Sequence, residues 1–178
     1  RIIQRVNGII CISDKQMDFF NAQLPAGCNI KLTKIYNGFE YGKAIPARRN
    51  QPFVFGMVAR GIPEKGWEIC IDAFLSLKRP NLSLILVGDS DYIKELKEKY
   101  SHHATIQFVG YSDDPIQWIG KFHVGLLPSS YASESLPTSV IEYLYVGIPV
   151  IVSDVGEIPV MIQTHSGLAG TILSKSEL

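Results

Sequence analysis

Glu134 and Glu142 stand eight positions apart in the stretch SESLPTSVIEYLYVGIPVIVSD, residues 133–154, and they bracket what reads as the start of a helix. Pro137 suits a first helical position, and Gly147 with Pro149 supplies a stop, which predicts a helix over 137–146 with Leu136 as its N-cap. Leucine has no side-chain acceptor, so the first-turn amides are left to water, to Ser135 or to a ligand. On such a helix Val140, Ile141, Leu144 and Tyr145 form the core-facing stripe, and Glu142 falls on the flank it shares with Thr138. Acids on either side of an open helix end can accept hydrogen bonds from separate hydroxyls of one polyol. The same residues also suit a solvated helix face and a loop charge, and spacing alone does not separate these readings. Hydrolysis by the pair would need one raised pKa and a matched carboxylate separation.

A constellation of opposite charge lies in VARGIPEKGW. Arg60 follows a strand directly, and Lys65 precedes a helix opened by Gly66 or Trp67. Two cations five residues apart on a strand-to-helix loop can converge on one anion. Charge-assisted bonds of roughly 1.5–3 kcal/mol each would hold a phosphate there, and the adjoining helix start adds N–H donors. A solvated loop would carry the same residues. Other chemistries find less support. His102, His103, His123 and His165 are scattered without metal-ligand spacing, so no metal site is expected. No GxGxxG follows a strand, which argues against a dehydrogenase-type dinucleotide site.

Elements that could position these groups are legible as alternation. Apolar runs at 53–59, 82–88, 105–110, 124–129, 149–154 and 167–173 are of strand length and almost continuously hydrophobic, as strands covered on both faces must be. Between them lie helical patterns. In GWEICIDAFLSLKR the residues Trp67, Ile71, Phe74, Leu75 and Leu77 share one side, and DYIKELKEKYS reads as a solvated helix. This βαβα order predicts an α/β fold, a doubly wound, Rossmann-like parallel sheet that binds ligands outside the carboxyl ends of its strands. Residues 1–50 differ, with a strand expected over 8–12, a helix opening at Ser13 or Asp14, and a turn at Asn37-Gly38.

Bulk properties set limits on partners. With 17 Lys and Arg against 17 Asp and Glu the formal charge is zero, so no sequence-independent grip on nucleic acid is expected. Three cysteines without CxxC spacing indicate neither a disulfide framework nor zinc, and a reducing, cytoplasmic compartment is expected. No apolar run approaches the roughly 20 residues of a membrane span, so the chain reads as soluble. A first residue other than Met, followed almost at once by the strand-like GIICIS, reads as a piece of something larger.

Taken together, VARGIPEKGWEICIDAF, LILVGD, IQFVGYSDD and the long run from Leu126 to Pro159 resemble the nucleotide-sugar-binding domain of family 4 retaining glycosyltransferases of the GT-B fold. The most specific element is the Glu-x7-Glu pair followed by Gly147 to Asp154, in order with the Arg60-x4-Lys65 loop. The resemblance implies that Arg60 and Lys65 bind the donor diphosphate and that Glu134 accepts hydrogen bonds from the donor sugar. These three are the expected catalytic residues. The amides of Ser135, Leu136 and Thr138 are implied to contact sugar or phosphate, Glu142 the ribose, and the loop Gly110, Tyr111 and Ser112 the base. It further implies metal-independent transfer with retention, without a cofactor beyond the nucleotide sugar.

By the same resemblance, residues 1–37 form the tail of an acceptor domain with its crossover, 38–52 a linker and 53–178 the donor domain. The acceptor, a glycan or lipid-linked glycan in cell-surface polysaccharide or glycolipid synthesis, is expected to meet the absent N-terminal half. A lipid-linked acceptor would bring the whole enzyme to the inner membrane face as a peripheral protein. This piece alone is expected to bind donor without turnover. The departure at Glu157, where the family more often has a small residue, is expected to be without consequence. The rival expectation is a noncatalytic nucleotide-binding or protein-docking domain of the same fold.

Overall fold

The computed structural model describes residues 6–38, 52–174 and 176. Its first described segment is β1 (Gly8–Cys11), α1 (Asp14–Gln23) and β2 (Lys31–Lys34), with the two strands parallel in a small sheet of their own. Ser13 caps α1, its hydroxyl accepting from the Gln16 amide, so the expected helix start is met by a conventional acceptor. Asn37 and Gly38 adopt no assigned turn, and all of the expected linker between Gly38 and Pro52 lies outside the described residues.

The remainder is βαβα as read. In chain order it comprises β3 (Phe53–Val58), α2 (Trp67–Ser76), β4 (Leu82–Val87), α3 (Asp91–Lys99), β5 (Ile106–Gly110), α4 (Ile116–Ile119) and β6 (Val124–Leu127). There follow α5 (Thr138–Val146), β7 (Val150–Ser153), α6 (Ile158–Met161), β8 (Gln163–Thr164), β9 (Gly167–Leu168) and β10 (Gly170–Leu173). A six-stranded parallel sheet has the order β10-β7-β6-β3-β4-β5. The chain winds outward from β3 through β4 to β5, returns to β6 beside β3, and winds the other way through β7 to β10. That reversal leaves a crevice at the carboxyl ends of β3 and β6, where adjacent connections leave on opposite faces.

Four expectations need correction. The run 167–173 is not one strand: β9 pairs antiparallel with β8, and only β10 joins the large sheet, beside β7. Ala169 separates them, its N–H donating to Ile162 and its carbonyl accepting from Val150. The helix α5 opens at Thr138, with Pro137 as N-cap at φ −65°, ψ 120°. Proline's fixed φ suits either position, and here an extended ψ keeps it outside the helix while its carbonyl accepts from Val140 and Ile141. The buried stripe of α5 is Val140 and Tyr143, whereas Ile141, Leu144 and Tyr145 are only half-buried. On α2 the corresponding buried set is Trp67, Cys70, Ile71 and Phe74, and Leu77 is exposed.

Tyr143 explains the shift of the α5 stripe. Its ring lies on Gly125 of β6, where an added Cβ would come within 2.6 Å of it, so the glycine admits the helix close to the sheet. Its hydroxyl accepts from the Val58 amide at 2.7 Å and faces the Leu126 carbonyl at 3.4 Å. One side chain thus ties α5 to both strands that frame the crevice. Among the described residues no helix is long and apolar enough to cross a membrane.

Tyr143→Phe keeps the ring on Gly125 but strands the buried Val58 N–H, and is expected to destabilise the chain by about 1–3 kcal/mol in urea unfolding. An unchanged midpoint would show that this hydroxyl does not hold α5.

Candidate functional site

At the switch point a concavity of about 390 Å³ is lined by Val58, Ala59, Arg60, Lys65, Pro115, Leu127, Glu134, Leu136, Pro137, Thr138, Ser139 and Glu142. Both cations and both carboxylates of the sequence reading therefore meet in one place. Each arrives by a different local device. Trp67, wholly buried at the start of α2, donates its indole N–H to the Arg60 carbonyl at 2.9 Å and fixes the backbone where β3 ends. Gly66 closes the single 3-10 turn Pro63–Lys65 at φ +80°. A Cβ there would fall 2.3 Å from the Pro128 carbonyl oxygen, so only glycine lets Lys65 approach the loop after β6 so closely.

That loop is stitched from several sides. The Ser130 amide donates to the Glu64 carbonyl at 2.8 Å, and the Ser153 hydroxyl donates to the Ser129 carbonyl at 2.5 Å. Lys65 and Glu134, 6% and 7% exposed, form an ion pair of 2.5 Å within it. The Ser129 hydroxyl donates to the same carboxylate oxygen, Oε2, at 2.9 Å. Glu134 Oε1 has no hydrogen-bond partner among the described residues, so the carboxylate can still accept from a ligand. Arg60 is exposed, with its guanidinium carbon 5.2 Å from the Tyr131 ring centre; Lys65 Nζ lies 5.0 Å from the same centre. Tyr131 thus aligns two cations through its ring face.

The helix opening is vacant as expected, though for a shifted reason. Pro137, not Leu136, is the N-cap and offers no side-chain acceptor, while Leu136 is buried. Amides of Ser135, Leu136, Thr138 and Ser139 donate to nothing among the described residues. Glu142, one turn into the helix, is half-buried, and its pKa is pushed up to about 7 by burial and then by the nearby Asp114.

Not every expected residue lines the concavity. Gly110 ends β5 at φ +85° and its carbonyl accepts from Gly88; Tyr111 is 73% exposed with its hydroxyl engaged by Asp113; Ser112 follows. These three lie at the same sheet edge, but Pro115 is the residue of that side which reaches the lining. Ser135 turns its hydroxyl away, accepting from Gln16 Nε2 at 3.2 Å. Trp67, Tyr131 and Ser129 were missed as contributors. An indole at a helix start and an aromatic in SSYASES were the available signals, but neither names a partner. Glu157, expected to be without consequence, is buried and bonded to two residues of the chain's first segment, the Asp14 amide at the start of α1 and the Tyr36 hydroxyl beyond β2.

A second cavity of about 270 Å³, between α2 and the sheet, is lined almost wholly by apolar side chains such as Phe55, Phe74 and Leu126. It has no charged group to orient a substrate.

This chain, which carries the charged crevice at the switch point of a Rossmann-like sheet, belongs to the family of glycosyl transferases group 1, which its residues 40–176 match. HepE of Anabaena, crystallised in complex with UDP and glucose, superposes with a TM-score of 0.73 at 25% identity over 97% of this chain and 50% of that one. An uncharacterized glycosyltransferase of Methanocaldococcus jannaschii is 31% identical over 107 residues, 57% of this chain and 26% of that protein. Sucrose-phosphate synthase of Thermosynechococcus elongatus shares the fold at 20% identity, TM-score 0.67, over 94% of this chain and 45% of its own. The chain spans half the length of HepE, and its match to the archaeal relative covers about a quarter of that protein.

Two outcomes test this geometry. Glu134→Ala leaves Lys65 buried without its counter-ion and should destabilise the chain by about 3–5 kcal/mol in urea unfolding, with Glu134→Gln falling between. For Glu142 the folded chain keeps its proton to about pH 7, whereas the unfolded chain releases it near the ordinary 4.5. Between those values the folded state binds more protons, so stability falls as pH rises. Glu142→Gln removes that slope: it should gain on the order of 1–2 kcal/mol over the parent at about pH 8 and nothing at about pH 4. Parallel stability curves for the two chains would refute the assignment.

Proposed function

We propose that this chain is the donor-binding half of a retaining glycosyltransferase, which takes a sugar from a nucleotide diphosphate sugar and transfers it to an acceptor hydroxyl. The observation that carries the reading is the convergence of Arg60, Lys65, Glu134, Thr138 and Glu142 on one crevice at the switch point. Arg60, engaged by no protein carboxylate among the described residues, is available to the diphosphate, and Lys65 has N–H donors beyond the one given to Glu134. The amides of Ser135, Leu136 and Thr138 add donors at the N-terminal end of α5, where negative charge is favoured. Glu134 Oε1 is placed to accept from the sugar and Glu142 from the ribose, while Gly110, Tyr111 and Ser112 would border the base at the same edge.

In the transfer, the bond from the anomeric carbon to the β-phosphate oxygen breaks and a bond from that carbon to the acceptor oxygen forms. The acceptor's proton leaves with the departing diphosphate. Negative charge grows on the phosphate oxygens, and Arg60 and Lys65 stabilise it without a metal in our reading. Glu134 does double service: it keeps Lys65 in place and presents its free oxygen to the sugar. Family membership, together with the UDP-sugar complexes of HepE, favours transfer over hydrolysis, which the carboxylates alone would not separate. The acceptor, a glycan or lipid-linked glycan of the cell surface at the inner membrane face, would be met by sequence outside this chain, so the isolated 178 residues should bind donor without turnover.

Titration with UDP, GDP and ADP should single out one nucleotide, with Arg60→Ala and Glu142→Ala each weakening it about tenfold through lost charged hydrogen bonds. Calorimetry provides the measurement. Absence of binding at millimolar nucleotide by a chain that is folded by circular dichroism would overturn the proposal.

A further inference from the structure

Glu157 sits in the loop between β7 and α6, 4% exposed, and no lysine, arginine or histidine pairs with it among the described residues. Its partners come from a segment more than a hundred residues away. Oε1 accepts from the Asp14 amide at the N-terminus of α1 at 2.7 Å, and Oε2 accepts from the Tyr36 hydroxyl at 3.2 Å. A buried carboxylate whose compensation is a helix's first amide and a phenol depends on that segment staying docked, since undocking would leave it without either donor.

The same few residues touch the sugar-facing loop. The Glu157 amide donates to the Ser135 carbonyl at 2.8 Å, and Gln16, one turn into α1, donates to the Ser135 hydroxyl at 3.2 Å. Gly156, at φ +59°, packs so closely that a Cβ would lie 2.4 Å from the Glu134 carbonyl oxygen. The segment Asp14–Tyr36, the turn at 156–157 and the loop at 134–135 are therefore one hydrogen-bonded unit, with the Glu157 carboxylate at the joint.

We infer that Glu157 is a positioning residue: its carboxylate docks the α1–Tyr36 segment onto the loop that carries Glu134 and Ser135, and so sets the grip on the donor's sugar in preference to its nucleotide. This rests on the donor-site reading above. The loop holds Glu134, the carboxylate assigned to the sugar, whereas Arg60 and Glu142, assigned to the diphosphate and ribose, are positioned by Trp67 and α5 without help from Glu157.

The test compares UDP and UDP-glucose binding to the parent chain, Glu157→Ala, Glu157→Gln and Gln16→Ala, with amide hydrogen exchange followed without ligand. Glu157→Ala should weaken UDP-glucose about tenfold, with UDP affected less than about twofold. Glu157→Gln, which keeps an acceptor for the Asp14 amide, should recover most of the loss. Gln16→Ala, which removes no buried charge but loses the acceptor of the Ile12 amide together with the Ser135 bond, should weaken UDP-glucose in the same direction by a smaller factor. Exchange at the amides of residues 134 and 157, and across 14–17, should rise in Glu157→Ala by about tenfold. Equal loss for both ligands, or loss for neither, overturns the inference. If the parent binds UDP-glucose and none of UDP, GDP and ADP, or no ligand at all, the donor-site reading fails by itself, and unchanged exchange at the amides of residues 134 and 157 in Glu157→Ala then overturns the coupling separately.

Discussion

A lysine and a glutamate, both almost wholly removed from water, meet at 2.5 Å where the strand order of the sheet reverses. Taking either charge alone out of water would cost several kcal/mol, so each is tolerable only with the other in place. The pair consequently fixes the relation between two loops that the chain forms independently, one after β3 and one after β6. Ser129 adds a second donor to the same glutamate oxygen, which leaves the other free. A structural ion pair and a candidate ligand-binding carboxylate are the same side chain, and any ligand that enters meets charges already oriented and already desolvated.

Close backbone approach makes this possible. Gly66 faces the Pro128 carbonyl and Gly156 faces the Glu134 carbonyl, each with positive φ and each where a Cβ would overlap an oxygen. Gly125 does the same for the Tyr143 ring, which draws α5 down onto the sheet and sets the depth of Glu142. Burial at that depth, with Asp114 near, raises the proton affinity of Glu142. The acidic pair is thus split by environment: one member is held by a cation, the other is poised near neutrality. This division follows from where the helix sits and not from the residue type.

The small sheet of β1 and β2 is more than an appendage. Its helix and its outgoing strand deliver the donors that compensate Glu157, and Glu157 lies against the loop that carries Glu134. A loop of the crevice is therefore braced by a part of the chain far away in sequence.

Periodicity determined the parallel α/β sheet, because strands buried on both faces must be continuously apolar and helices between them must carry a stripe, and both patterns survive in a single sequence. The helix opening without a side-chain cap was legible too, since neither Leu136 nor Pro137 can accept. The Glu-x7-Glu pair and the Arg60-x4-Lys65 loop, ambiguous by spacing alone, were singled out by the family resemblance as the charged residues of one site. Only the tertiary structure decided that Lys65 and Glu134 are each other's partners, that Trp67 and Tyr131 hold the cations, that run 167–173 divides between two sheets, and that Glu157 clasps α1. Each of these joins residues whose separation in sequence carries no periodic signature: they are brought together by the order in which strands pair and by glycines that let backbones touch, and burial then sets the charge each side chain can keep.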